Sequence, residues 1–96
     1  MRFEWDKAKN ERNIRDRGLD FADAPEMFDS LMLVLPDTRK DYREVRYIGV
    51  GPVKGRIMVV VYTERRPDAI RIISFRKANS RDKKRYEAIA HKLEAR

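Results

Sequence analysis

The sequence predicts an α+β fold: a small antiparallel β-meander of about four strands, packed by two N-terminal helices and one C-terminal helix. Three observations carry this expectation. Helix-forming stretches with capping residues stand at both ends of the chain, alternating or continuous apolar runs fill the middle, and the turns between those runs are short. Short connections make successive strands antiparallel neighbours. Ninety-six residues suffice for one domain, 1–96, and no repeat, linker or low-complexity tract divides it.

Phe3-Glu4-Trp5 reads as a short extended entry and a candidate fifth strand. Asp6 is a good N-cap for a helix over 7–17 that Gly18 stops, and with only Ala8 and Ile14 on its apolar side this is a surface helix. Asp20 caps a second, short helix carrying Phe21, Ala24 and Phe28 at helical spacing with Met27 beside them; Pro25 removes a donor just past its first turn and is expected to distort it. Strands follow over 31–35, 44–50, 56–64 and 69–76, with a hairpin loop over 51–55 and a proline turn over 65–68. The run 56–64 is apolar on both faces, as a central strand is. Ser80 then caps a closing helix whose inner face is Tyr86, Ile89, Ala90 and Leu93. The helices are expected to cover one face of the sheet.

Basic residues number 23 and acidic ones 16, a net charge of +7, and 41% of the chain is charged. Such a balance favours a polyanionic partner: RNA, DNA or a strongly acidic protein. With no cysteine, disulfides, thiol catalysis and thiolate metal sites are excluded. A single histidine, His91, excludes a two-histidine acid–base mechanism and any metal held by two histidines. No phosphate-binding glycine loop of the Walker or dinucleotide type occurs. The longest apolar run, 57–62, is too short to span a bilayer, and the charged opening Met1-Arg2-Phe3-Glu4-Trp5-Asp6 does not read as a leader. A cytoplasmic protein without membrane association is expected.

The candidate chemistry lies in charges on the strands. Arg46 falls within the second strand, Glu64 and Arg65 end the third, and Arg71, Arg76 and Lys77 lie on or just after the fourth. One reading is a wet sheet face laced with cross-strand ion pairs. The sharper one is a set of guanidiniums converging on a phosphate, whose geometry they match. Strict alternation groups Ser74 with Arg76 and puts Arg71 with Ile73 and Phe75, so Arg71 and Arg76 need not meet, although the strand end at Arg76 is free to bend; likewise Tyr62 goes with Glu64, and Thr63 with Arg65. Glu44 and Glu64 are the nearest carboxylates. Asp37, Asp41 and Glu44 offer oxygens in a polar loop, but the interleaved Arg39, Lys40 and Arg43 make it a solvated loop; no metal site and no cofactor is expected.

Several segments, taken together, resemble a known family. Phe3-Glu4-Trp5-Asp6, Asn13 ahead of Gly18, and Phe21 with Ala24 open the chain as the BrnT family of toxin–antitoxin toxins does. The likeness continues in Asp41-Tyr42-Arg43-Glu44-Val45-Arg46, in Val61-Tyr62-Thr63-Glu64-Arg65 and in Arg71-Ile72-Ile73-Ser74-Phe75-Arg76-Lys77-Ala78, in matching order and spacing over nearly the whole chain. The resemblance implies a RelE-like fold and a type II toxin that is a ribonuclease inhibiting translation. It also implies a BrnA-like ribbon-helix-helix antitoxin that neutralises the toxin in a hetero-oligomer and binds operator DNA. Two positions depart from the family pattern: Asp16-Arg17-Gly18 stands where Lys-His-Gly is usual, and Arg43 stands where a glycine usually precedes the glutamate.

Metal-independent RNA cleavage by the substrate's 2′-hydroxyl needs a base, cations for the phosphorane and a proton donor. Glu44 or Glu64 would be the base, and Arg46, Arg65 and Arg76 would stabilise charge. Tyr62, Tyr86 or Lys77 would be the donor, and these three with Arg17 and Arg71 would hold substrate; Tyr86 also reads as a core residue of the last helix. A non-catalytic nucleic-acid-binding module, or a degenerate toxin keeping only antitoxin binding, would use the same arginines.

Overall fold

The computed structural model describes residues 1–94. The chain runs through strand β1 (Arg2–Trp5), helix α1 (Lys7–Arg17), a 3₁₀ segment (Phe21–Asp29), strands β2 (Leu33–Pro36), β3 (Tyr47–Val53), β4 (Arg56–Arg65) and β5 (Ala69–Lys77), and helix α2 (Ser80–Glu94). β2 to β5 form the expected antiparallel meander. The sheet nevertheless has five strands and is mixed, in the order β1-β5-β4-β3-β2. β1 joins the edge parallel to β5, pairing Arg2 with Ala69 through Trp5 with Ile72. The expectation of about four antiparallel strands is thus corrected by a strand that no short loop ties to its neighbour in sequence.

The second expected helix is a 3₁₀ segment. Pro25 sits at its middle and lacks the N–H an α-helical turn would use there, so the segment winds more tightly. It still buries the predicted residues: Phe21, Ala24 and Met27 pack on Met58, Val60, Tyr62, Ile70, Ile72 and Phe75 in the main core. Phe28 links Phe3 and Tyr62 at ring distances of 5.2 and 5.0 Å.

The helices do not share one face. α2 lies over the opposite side of the sheet, where Tyr86 and Ala78 cover Val50 and Val59. Only its front half packs; of the expected inner face, Ile89 and Leu93 stay 38% and 45% exposed. Its cap is Asn79 rather than Ser80. The Asn79 side chain accepts from the Asp82 N–H at 2.9 Å while Asp82 accepts from the Asn79 N–H at 3.0 Å, a reciprocal capping box.

β3 starts and ends later than expected. The turn of the β3–β4 hairpin is only Lys54-Gly55, with φ of +50° and +80°. Gly51 is not part of that turn. It lies inside β3, where an added Cβ would stand 3.2 Å from the Leu31 carbonyl oxygen crossing above it.

Two asparagines fasten α1 to the body. Asn10, buried, donates to Asp20 at 2.9 Å and accepts from the Phe21 N–H at 2.8 Å. Asn13 donates through one amide nitrogen to the carbonyls of Leu19 and Phe75, at 3.0 and 3.1 Å, tying α1 to β5. Asn13→Ala is expected to cost about 1–3 kcal/mol in urea unfolding, because two carbonyls lose their donor. Asn13→Asp, of equal size, should cost more, since it sets a carboxylate against both carbonyls; an aspartate variant as stable as wild type would remove this tie from the account.

Candidate active site

β5 carries a bulge that decides where its side chains go. Val61 of β4 pairs with Ser74 and Tyr62 pairs with Ile72, which leaves Ile73 as an extra residue. Beyond the bulge the alternation is reversed. Ile72 and Phe75 both enter the main core, while Arg71, Ser74 and Arg76 share the other face with their partners Thr63, Val61 and Val59. Arg71 and Arg76 therefore lie on one face, against the expectation from strict alternation.

Arg46 stands just before β3, not within it, and its carbonyl accepts from the Asp37 N–H at 2.8 Å. The Thr63 hydroxyl of β4 donates to the Val45 carbonyl at 2.6 Å, which fastens this loop over the Arg71 face. The loop thereby delivers Glu44 between two cations. Arg46 Nε donates to one carboxylate oxygen at 2.9 Å, and Arg65 approaches the other at 3.3 Å. Arg46 also stacks on the Tyr42 ring, 4.0 Å from its centroid. Arg71 pairs with Glu4 of β1 at 3.2 Å. Glu44, Arg46, Arg65 and Arg71, with Asp6 and Lys9 from the start of α1, line one cleft of about 190 Å³.

Lys9 is the residue that sequence reasoning missed. Half-buried, it also lines the adjoining and larger cleft, of about 430 Å³, along with Arg12, Arg17, Arg39 and Arg76. Burial first, and then the Arg46, Arg12 and Arg71 charges, hold its ammonium below the usual lysine range, against the pull of Asp6. Its only sequence signal is helical: Lys9, Arg12 and Asp16 fall at spacings of three and four on one side of α1.

Other expected site residues lie elsewhere. Glu64 shares the face of Tyr62 and opens on a different pocket beside Pro67 and Ile70. Tyr62 is buried in the main core between Phe28 and Tyr47, and burial pushes its hydroxyl pKa up. The Tyr86 hydroxyl donates to the Leu31 carbonyl at 2.9 Å, away from the cleft. Arg76 reaches the larger cleft while bonded to Asp82 of α2 at 2.9 Å, and Lys77 lies beyond it, at the end of β5. His91 is in the last turn of α2.

The carboxylates of the loop after β2 are engaged by cations or backbone. Buried Asp37 takes two bonds from Arg39, both 2.8 Å, and Asp41 accepts from the Arg43 N–H at 2.9 Å. Among the described residues, no three histidine, cysteine, aspartate or glutamate side chains gather as a metal-ligand set.

The arrangement suits phosphate chemistry: a carboxylate fixed among guanidiniums, with an ammonium across the cleft. Comparison with known proteins agrees. The family model described as ribonuclease toxin, BrnT, of type II toxin–antitoxin system matches residues 5–82. The crystal structure of the Brucella abortus ribonuclease toxin BrnT superposes with a TM-score of 0.67 and 34% sequence identity, over 83% of this chain and 99% of that one. A search of curated proteins returns no match.

The Asp37–Arg39 clamp carries a pH signature. The Arg39 hydrogen bonds lower the Asp37 carboxyl from 3.8 to about 2 in the folded protein. The stability this adds is present above the ordinary carboxylate range and is lost as pH falls from about 4 to about 2. Urea midpoints measured from pH 5 to pH 2 should fall less steeply for Asp37→Asn than for wild type; equal slopes would contradict the clamp.

Proposed function

The chain belongs to the BrnT family of ribonuclease toxins of type II toxin–antitoxin systems, and we propose that it is an endoribonuclease that cuts RNA in the Glu44–Lys9 cleft by attack of the substrate's own 2′-hydroxyl. Glu44 takes the 2′-hydroxyl proton. The 2′-oxygen bonds to phosphorus, the phosphorus–O5′ bond breaks, and Lys9 gives a proton to the departing O5′. The products are a 2′,3′-cyclic phosphate and a 5′-hydroxyl. Arg46, Arg65 and Arg71 meet the charge that builds on the phosphorane, which is usually the largest catalytic contribution, while Arg17 and Arg76 hold the neighbouring phosphate.

The observation that carries this reading is the convergence of three arginines and Lys9 on a cleft that contains Glu44. Lys9 replaces the donors expected from sequence because its lowered pKa makes it the better acid, whereas the Tyr62 hydroxyl is raised by burial and the Tyr86 hydroxyl is committed to Leu31. The carboxylates that would ligate a metal, Asp37, Asp41 and Glu44, are already bonded to arginine side chains or backbone, which favours a reaction without one. Cutting RNA would arrest translation. A BrnA-like ribbon-helix-helix antitoxin would neutralise the chain in a hetero-oligomer and carry it to operator DNA, and the setting would be cytoplasmic.

Purified protein is expected to cut RNA in EDTA, to leave 2′,3′-cyclic or 3′-phosphate ends, and to spare a substrate with a 2′-deoxy group at the scissile nucleotide. Cutting only with Mg²⁺ and leaving 3′-hydroxyl ends would overturn the mechanism. Arg46→Ala and Arg65→Ala should each lower kcat/KM by about tenfold or more, and His91→Ala should leave it unchanged. Induction in cells should halt growth and protein synthesis, with recovery on co-expression of the adjacent antitoxin; unhindered growth at verified soluble expression would count against an active toxin.

A further inference from the structure

Beyond the cleft, basic pockets continue along the molecule, and each shares residues with the next. The Glu44 cleft and the larger cleft share Lys9 and the bulged Ile73. The larger cleft shares Arg17 and Arg76 with a shallow pocket that adds Leu19 and Lys77. Lys77 then lines a fourth pocket, of about 320 Å³, between the β3–β4 turn and α2, where Arg56 and Lys83 join it. From Arg71 to Arg76 the track follows one face of β5 over the four β4 steps from Thr63 to Val59, about 13 Å at roughly 3.3 Å per residue, and at the strand end it turns to Lys77, the partner of Met58. It then continues to Arg56 and Lys83.

The two ends of this track differ in their pairing. Arg46, Arg65 and Arg71 are each held by a carboxylate. Among the described residues, Arg17, Arg56, Lys77 and Lys83 have no salt-bridge partner, although Glu87 contributes one carboxylate to the far pocket. All four are exposed. Cations that are exposed, unpaired and spread over successive pockets suit a ligand with repeated negative charges. A stacked strand places a phosphate about every 3.4 Å of its axis, so the track is several nucleotides long.

We infer that the pocket of Arg56, Lys77 and Lys83 is a distal phosphate-binding site for the same RNA strand whose scissile bond lies at the Glu44 cleft. This rests on the ribonuclease reading. Distal contacts of this kind add affinity without sequence preference and make it depend on salt and on substrate length. An acidic segment of a protein partner would also be drawn to these cations. RNA is favoured because the track shares residues with the cleft at every step and, in its two outer pockets, its cations outnumber its larger apolar members, the half-buried Leu19 and Ile57, neither of which is an aromatic anchor of the kind a protein interface centres on.

The test is binding of a fluorescent 2′-O-methyl RNA decamer, which cannot be cut by 2′-hydroxyl attack, to wild type and to Arg56→Ala/Lys83→Ala across a salt series. Both substituted residues are exposed and unbridged, and thermal melts check that the fold is kept. The variant should bind about three- to tenfold more weakly, and the slope of log affinity against log salt should fall by about 1–1.5, as losing two single-strand contacts requires. For a trinucleotide the two proteins should differ by less than about twofold. Equal affinities and slopes on the decamer would overturn the distal site, as would a variant that binds RNA normally but loses the antitoxin. Cleavage of the unmodified decamer by wild type is read in parallel: distal binding without cutting would sink the ribonuclease reading alone, and cutting with no effect of the variant would sink the distal site alone.

Discussion

The Glu44 carboxylate, shared between Arg46 and Arg65, is the contact on which the site depends. Two guanidiniums brought to the same point of a half-exposed cleft repel each other. Placed between them, with one oxygen 2.9 Å from Arg46 and the other 3.3 Å from Arg65, a carboxylate turns that repulsion into attraction. The same solution recurs along the cationic wall, where Glu4 holds Arg71, Asp82 holds Arg76 and Asp37 holds Arg39. A chain of net charge +7 gathers the arginines of the Glu44 cleft by setting a carboxylate against each of them. Guanidiniums fixed by carboxylates are also preorganised, which is what a developing phosphorane charge requires.

Backbone geometry sets the stage for that contact. The bulge at Ile73 brings Arg71 and Arg76 to one face, and the Thr63–Val45 hydrogen bond lays the Glu44 loop over it. α1, tied to β5 by Asn13, then closes the cleft with Lys9. Removing any of these would leave the same residues in the chain without the same site.

The elements legible in the sequence were those whose signals are local. Asp6 and Gly18 bound α1 as caps, and the continuous apolar run of β4 marked the central strand with Tyr62 and Thr63 on opposite faces. What failed depended on distant partners. Phe3–Trp5 was legible as a candidate fifth strand and is one, but its place parallel to β5, more than sixty residues away, has no turn to mark it. Gly51 read as a turn glycine, but its role is to let Leu31 pass over β3. A single bulge residue reversed the alternation on which the faces of Arg71 and Arg76 were judged. Lys9 was invisible because a surface lysine on a basic helix is unremarkable until the helix is packed beside Arg46. The two departures from the family pattern also gain a physical reading. Arg43 adopts φ +58°, the left-handed conformation that explains why glycine is usual there, with the Asp41 side chain bonded to its N–H. Arg17, at the end of α1, keeps a cation in the larger cleft where the family usually has histidine.

The pairing of Glu44 as base with Lys9 as acid is the central claim, and the pH dependence of single-turnover RNA cleavage tests it most directly. For wild type the rate should fall on the alkaline side below the ordinary lysine range of about 10.4, as Lys9 loses the proton it must donate. In Lys9→Arg the rate should be lower, and the alkaline limb should move to higher pH or disappear, because arginine keeps its proton. An alkaline limb at the same pH in both proteins would contradict Lys9 as the proton donor.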